Sequence, residues 1–327
     1  MVGGKDKLVI FDKILVPLDG SALAERVLPH LVELQSAFGS EVILLRVLDP
    51  SSQSTPAGAV DPVEWQIRKA EADTYLEGVA SRLNQVGLSV SAVVREGKAA
   101  ETTVEFCAEN KIPLILLSSH GESGLTGWNV SSVVQKIILR ARTSVLIVRA
   151  YESVPAGLGE LHYERILIPL DGSQRAEGVL PVAAALAKAN DAEVMAVRVV
   201  RKPEMPSRTP LTDEDRQLID KLVDRNRAEA SNYLADIKAR FDGRLETRLV
   251  ISDDVSGSIY DLVDQVEADL VMMSAHGYTG KSRWPYGGLV ISFIAYGNTP
   301  LFILQDLPRE RIEPTEAELA AREVGGR

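Results

Sequence analysis

Residues 14–30 read ILVPLDGSALAERVLPH, and residues 166–182 read ILIPLDGSQRAEGVLPV. Ile166 stands 152 positions after Ile14, and at that spacing Glu41-Val42 meets Glu193-Val194 and Arg46-Val47 meets Arg198-Val199. Farther on, SSHGESGLTGW from Ser118 meets SAHGYTGKSRW from Ser274, now 156 positions apart, so a short insertion lies between the two blocks. A period of this size is that of a domain, not of a solenoid unit. The chain reads as a tandem duplication.

Each copy alternates short apolar runs with amphipathic stretches. In the first, residues 13–18 form a run of the kind buried on both faces of a sheet, followed by a turn at Asp19-Gly20-Ser21. Helical spacing through Ala24, Val27, Leu28, Leu31 and Leu34 predicts one helix over 22–37. Strands are expected at 41–48, 88–95, 112–118 and 144–149, and helices at 62–86, 99–110 and 131–140. The second copy repeats the series from 165–170 through 301–304. Strictly alternating strands and helices imply parallel sheets with helices on both faces, an α/β class. Domains are expected at 8–150 and 163–307, joined by a Pro- and Gly-bearing linker at 151–162 and followed by a charged tail at 308–327.

Bulk composition agrees. The chain has 327 residues, 45% hydrophobic and 25% charged, which suits two globular domains. A net charge of −10 argues against a nucleic-acid partner, which calls for a basic face. The single cysteine, Cys107, excludes an intrachain disulfide and a multi-thiolate zinc site, and reads as an inert helix residue in a reducing compartment. The first 20 residues hold no apolar run of signal-peptide or membrane-span length, so a cytoplasmic protein without a membrane partner is expected.

The string AHGYTGKS, residues 275–282, is one residue short of the phosphate-wrapping G-x-x-x-x-G-K-S. A true loop of that kind follows the first strand of its domain and opens straight into a helix. This string follows a fourth strand, and its counterpart has Leu125 and Thr126 where it has Lys281 and Ser282. Ser-x-His-Gly is the shared element; Gly-Lys-Ser is not. In a doubly wound sheet, ligands lie beyond the strand ends where the strand order reverses. There the first-strand loop with Asp19 or Asp171 would meet the fourth-strand loop with Ser118–Gly121 or Ser274–Gly277. A helix starting just beyond offers free N–H groups and a positive dipole end to phosphate.

These residues resemble the universal stress protein family in its tandem form, over about 13–307. The resemblance rests on V-P-L-D-G-S at 16–21, I-P-L-D-G-S at 168–173 and the two S-x-H-G loops. Nucleotide-binding members carry Gly-x-x-Gly, nine residues, then Gly-Ser. Here the first copy has Ser118-x-x-Gly121, nine residues and Ser131-Ser132; the second has Ser274-x-x-Gly277, nine residues and Gly287-Gly288. The spacing is kept twice, the full residue pattern in neither copy.

The resemblance implies two tandem doubly wound five-stranded parallel sheets of the adenine nucleotide alpha hydrolase-like kind. They are expected to pack as an intrachain pseudo-two-fold pair through the fifth strands, 144–149 and 301–304. It implies ATP or a related adenine nucleotide as ligand, with or without Mg. In the first copy the implied site is Pro17, Asp19, Val47, Ser118, His120, Gly121, Ser131 and Ser132. In the second it is Pro169, Asp171, Val199, Ser274, His276, Gly277, Gly287 and Gly288. The aspartate and the valine would border base and ribose. Whether two chains form a homodimer stays open.

Each residue also has an ordinary reading. Asp19 and Asp171 could cap the helices that follow, as Asp does in many βα turns, and Ser131-Ser132 is a good N-cap by itself. His120 and His276 suit hydrogen-bonded turns, and Trp128 and Trp284 suit covers over a hydrophobic patch. Three functions follow: a nucleotide-binding regulatory protein, an interaction scaffold of the same fold with degenerate sites, or an enzyme. The chain lacks H-I-G-H, S-G-G-x-D-S, G-x-S-x-G, H-E-x-x-H and a G-x-G-x-x-G after a first strand. Dedicated catalysis is therefore not expected, with slow ATP hydrolysis left open. The second copy is expected to be the better site, because Gly287-Gly288 leaves the helix start unobstructed.

Overall fold

A computed structural model describes residues 11–50, 62–121, 130–151, 157–203, 212–278 and 285–306. Trp128, Trp284, Lys281 and the tail lie outside these residues. The first repeat runs β1 (Lys13–Pro17), α1 (Leu28–Phe38), β2 (Glu41–Leu48), α2 (Pro62–Gln85), β3 (Val90–Glu96), α3 (Ala99–Glu109), β4 (Leu114–Ser118), α4 (Ser132–Ala141) and β5 (Ser144–Val148). The second runs β6 (Arg165–Pro169), α5 (Gln174–Glu177), α6 (Leu180–Asn190), β7 (Glu193–Val200), α7 (Asp213–Arg240), β8 (Leu245–Ile251), α8 (Val255–Gln265), β9 (Leu270–Ser274), α9 (Gly288–Tyr296) and β10 (Leu301–Leu304).

Three expectations shift, each for a local reason. The single helix expected over 22–37 is instead a 3-10 turn, Ala24–Val27, followed by α1. Pro29 stands in the first turn of α1, has no N–H to give, and so cannot continue a helix begun upstream. Pro181 divides α5 from α6 in the same way. The third strand starts at Val90, later than expected, because the Leu88 N–H returns to the Leu83 carbonyl at 3.1 Å and closes α2 around Gly87, φ +87°. The fourth strand, expected from 112, starts at Leu114, because the Ile112 N–H returns to the Cys107 carbonyl at 3.0 Å and still closes α3.

All ten strands join one sheet in the order β3-β2-β1-β4-β5-β10-β9-β6-β7-β8. Within each repeat every pairing is parallel, and the repeats meet where β5 and β10 pair antiparallel, Leu301 against Ile147, Phe302 against Leu146 and Ile303 against Val145. All six of these residues are fully buried. An apolar edge of this kind, left open, would template aggregation; pairing the two edges removes it. Alternation along β1 sends Ile14 and Val16 into one core layer and Leu15 into the other. The first layer lies under α1, α2, α6 and α7 and spans both repeats, with Phe11 packed on Phe302 at 5.7 Å between ring centres. The second lies under α3, α4, α8 and α9.

Candidate functional site

The strand order reverses between β1 and β4 in the first repeat and between β6 and β9 in the second. Two loops diverge there on each side and leave a crevice at the carboxyl ends. Pro17 and Pro169 close β1 and β6; after each, one more backbone bond is made to the neighbouring strand, Leu18 N–H to Leu45 O and Leu170 N–H to Val197 O, both at 2.8 Å. Asp19 and Asp171 follow directly.

Neither aspartate is the cap of its helix. The Asp19 Oδ1 accepts from the Ser21 N–H at 3.0 Å and the Ser21 hydroxyl at 2.7 Å, and it is the Ser21 Oγ that accepts from the Ala24 N–H. Asp171 holds Ser173 in the same way, at 3.0 and 2.6 Å, while Ser173 caps α5. Each carboxylate is thereby aimed across the crevice at the opposite loop. A Cβ on Gly121 would lie 1.9 Å from the Asp19 Oδ2, and one on Gly277 2.0 Å from the Asp171 Oδ2. The glycines of Ser-x-His-Gly therefore make room for the aspartates. In the second repeat the Asp171 Oδ2 also accepts from the Tyr278 N–H at 2.5 Å. Burial pushes the Asp171 carboxyl up, but the hydrogen bonds from Ser173 and Tyr278, with the Arg198 guanidinium, outweigh it and hold the group below its usual range.

Arg46 and Arg198 were legible only as a doubled Arg-Val pair. The Arg46 guanidinium lies beneath Gly20, φ +86°, where a Cβ would come within 2.3 Å of its Nη1, and over the Tyr75 ring at 5.3 Å. Its Nε and Nη1 are buried with no hydrogen-bond partner. Arg198 donates to the Leu170 carbonyl at 3.4 Å. Val47 and Val199 are the next residues on β2 and β7 and pack, half-buried, against the second core layer.

Ser118 and Ser274 are the last residues of β4 and β9. Each is 7% exposed, and the hydroxyl of each is buried with no hydrogen-bond partner. Leaving such a group unmet costs about 1–3 kcal/mol. The same orphan stands at the same place in both repeats. The helix starts lie across the same loops: Ser131 N–H bonds the Ser119 carbonyl at 2.8 Å, and Gly287 N–H bonds the Ala275 carbonyl at 2.7 Å. Beyond that the copies part. The Ser131 hydroxyl caps α4 by accepting from the Val134 N–H, with Ser132 the first helical residue, whereas Gly287 leaves α9 without a side-chain cap. A Cβ on Gly288 would meet nothing within 4 Å.

The two histidines are buried, each 2% exposed. The His120 Nδ1 pairs with the Ser119 hydroxyl at 3.1 Å, and that hydroxyl accepts from the Ala150 N–H. The His276 Nδ1 meets the Asp306 carboxylate at 2.7 Å, and Arg175 reaches the same carboxylate at 3.7 Å. Asp306 has no counterpart carboxylate in the first repeat, where Ala150 stands, so repetition gave no signal for it. Among the described residues no group of three or more His, Cys, Asp or Glu side chains could hold a metal ion, and no helix is long and apolar enough to cross a membrane.

The sequence profile of the Universal stress protein family matches residues 10–149 and again 162–304. The chain belongs to the universal stress protein family. Universal stress protein MJ0531 of Methanocaldococcus jannaschii is 28% identical over 141 residues, covering 43% of this chain and 83% of that protein. Universal stress protein YxiE of Bacillus subtilis is 26% identical over 149 residues, 43% of this chain and 100% of its own. Among solved structures, a universal stress protein of Archaeoglobus fulgidus superposes on 91% of this chain and 100% of its own, with a TM-score of 0.64 and 17% identity, which shows the shared fold. A member of the family has been solved in complex with cAMP; it is 20% identical, covers 43% of this chain and 98% of its own, and has a TM-score of 0.34.

Proposed function

We propose that the protein binds ATP or a closely related adenine nucleotide and works as a stress-response regulator without dedicated catalysis. The observation that carries this reading is the doubled orphan: Ser118 and Ser274, buried, unpartnered, and set beside a helix start at the strand-order reversal. In the second repeat the uncapped N-terminus of α9 supplies backbone donors for phosphate, and the Ser274 hydroxyl one more. Asp171 suits ribose or base rather than phosphate, because it is held ionised. Mg, if it accompanies the nucleotide, would be held mainly by the phosphates, since the described residues offer no cage for it.

One observation favours the scaffold reading for the first repeat alone. Ser131 already spends its hydroxyl on α4, and its Cβ stands where the family pattern has glycine. The two sites are therefore unequal, with the second the stronger. Mass spectrometry of the purified protein after denaturation tests the reading, because a tightly held nucleotide survives purification. An adenine nucleotide in the released fraction is the expected result. No nucleotide there, together with no heat on titration with ATP, would leave the scaffold as the function of both repeats.

A further inference from the structure

Helix α9 belongs to the second repeat, yet hydrogen bonds across the repeat boundary hold it at both ends. At its carboxyl end stands Arg149, the residue after β5 of the first repeat, fully buried. Its guanidinium donates to the Phe293 carbonyl at 2.7 Å and to the Ile294 and Thr299 carbonyls at 3.4 Å each. Phe293 and Ile294 are in the last turn of α9, and the Phe293 carbonyl, which already accepts from the Gly297 N–H at 2.9 Å, takes the guanidinium as a second donor. A cation there also suits the negative end of the helix dipole. Gly297 makes the approach feasible, because a Cβ would lie 2.7 Å from the Phe293 carbonyl oxygen and 3.3 Å from the Arg149 Nη2. Tyr151 adds a hydroxyl at the same end, 3.1 Å from the Asn298 Oδ1.

At the amino end stands Tyr286, next to the helix start at Gly287 and 3% exposed. Its hydroxyl donates to the Ile138 carbonyl of α4 at 2.8 Å. Ile138 is itself in the last turn of α4, so each of the two helices receives a donor from the other repeat at its carboxyl end. The arrangement is not symmetric at the site. The position equivalent to Tyr286 is Val130, which has no group to donate, and the position equivalent to Arg149 is Gln305.

We infer that Arg149 and Tyr286 are positioning residues for the second-repeat site: the first repeat holds in place the helix whose N-terminus receives the ligand there. The second site is thus complete only in the tandem chain, although the Tyr286 contact also ties α4 of the first repeat to the second. This rests on the proposed nucleotide site for its functional meaning, but its structural core can be tested without nucleotide.

The experiment compares amide hydrogen exchange of the full-length wild type with Tyr286→Phe and Arg149→Met, in the absence and presence of ATP. Without ATP, exchange at Gly287 and at 291–297 should quicken at least tenfold in both variants, while β6 and α6 keep wild-type protection. Gln305→Ala should leave α4 within twofold of wild type. With ATP, affinity at the second repeat should fall at least threefold in both variants. Unchanged α9 exchange in Tyr286→Phe would overturn the inference, as would an equal quickening of every element, which would mark a purely global effect. Should Arg149→Met fail to fold, Tyr286→Phe, which removes a single oxygen, decides alone. A wild type that binds no ATP would defeat the proposed function, and the exchange rates without nucleotide would still decide whether the tether exists.

Discussion

Glycine and aspartate face each other across the crevice so closely that the glycine has no room for a side chain. Gly277→Ala puts a Cβ 2.0 Å from the Asp171 Oδ2, and the carboxylate cannot swing clear without releasing Ser173 and the Tyr278 N–H. We expect a loss of about 1–3 kcal/mol in unfolding free energy and a more than tenfold fall in ATP affinity at that repeat. Gly288→Ala is the contrast: its Cβ meets nothing, and stability should stay within about 0.5 kcal/mol of wild type. Chemical denaturation and ATP titration of the two variants check both. A second residue-scale consequence concerns His30, fully enclosed and hydrogen-bonded to Tyr163 at 2.7 Å. Burial lowers its pKa to about 3. The unfolded chain takes up a proton near the ordinary value of about 6.5, and the native chain does not until near 3. Stability must then fall as pH drops through that window, by about 1.4 kcal/mol per unit from this group. His30→Gln should flatten the acid limb of the unfolding free energy by that slope; an unaltered pH dependence would contradict the burial of His30.

Elements were the most legible level. The strands at 41–48, 270–274 and 301–304 stand where their apolar runs begin and end. The helix over 22–37 did not, because spacing ignores the missing N–H of Pro29, which breaks the ladder without disturbing the apolar stripe. The site was legible as loops and glycines, since doubling picked them out. The reason for the glycines was not, because the carboxylate that needs the space comes from a different loop. The place of the string AHGYTGKS in the chain belongs to this scale too. It follows β9, the fourth strand of its repeat, where a phosphate-wrapping loop follows the first strand of its domain; Lys281 itself lies outside the described residues. Lys281→Ala should weaken ATP binding less than tenfold, about 1.4 kcal/mol or less, by titration. A collapse of binding would restore the rejected motif.

At the scale of the molecule, the decisive contacts have no sequence period at all. Arg149 on α9, Tyr286 on α4 and Phe11 on Phe302 each join the repeats, and each occupies a position whose counterpart holds a different residue. Phe302 sits at the middle of the β5–β10 seam, fully buried. Phe302→Ala should cost about 3–5 kcal/mol of stability and should lower protection on both sides of the seam, in β5 as in β10, by hydrogen exchange. Loss confined to the second repeat would mean that the seam carries little of the coupling.

The central claim is that the crevice of the second repeat receives an adenine nucleotide at the start of α9. A crystal structure grown at saturating ATP tests it most directly. The account predicts phosphate against the backbone N–H groups that follow Gly287, within hydrogen-bond reach of the Ser274 hydroxyl, with Asp171 toward the ribose or base and weaker density or none in the first repeat. Nucleotide in the first repeat and none in the second would contradict the ranking of the sites, and two empty crevices would contradict the claim itself.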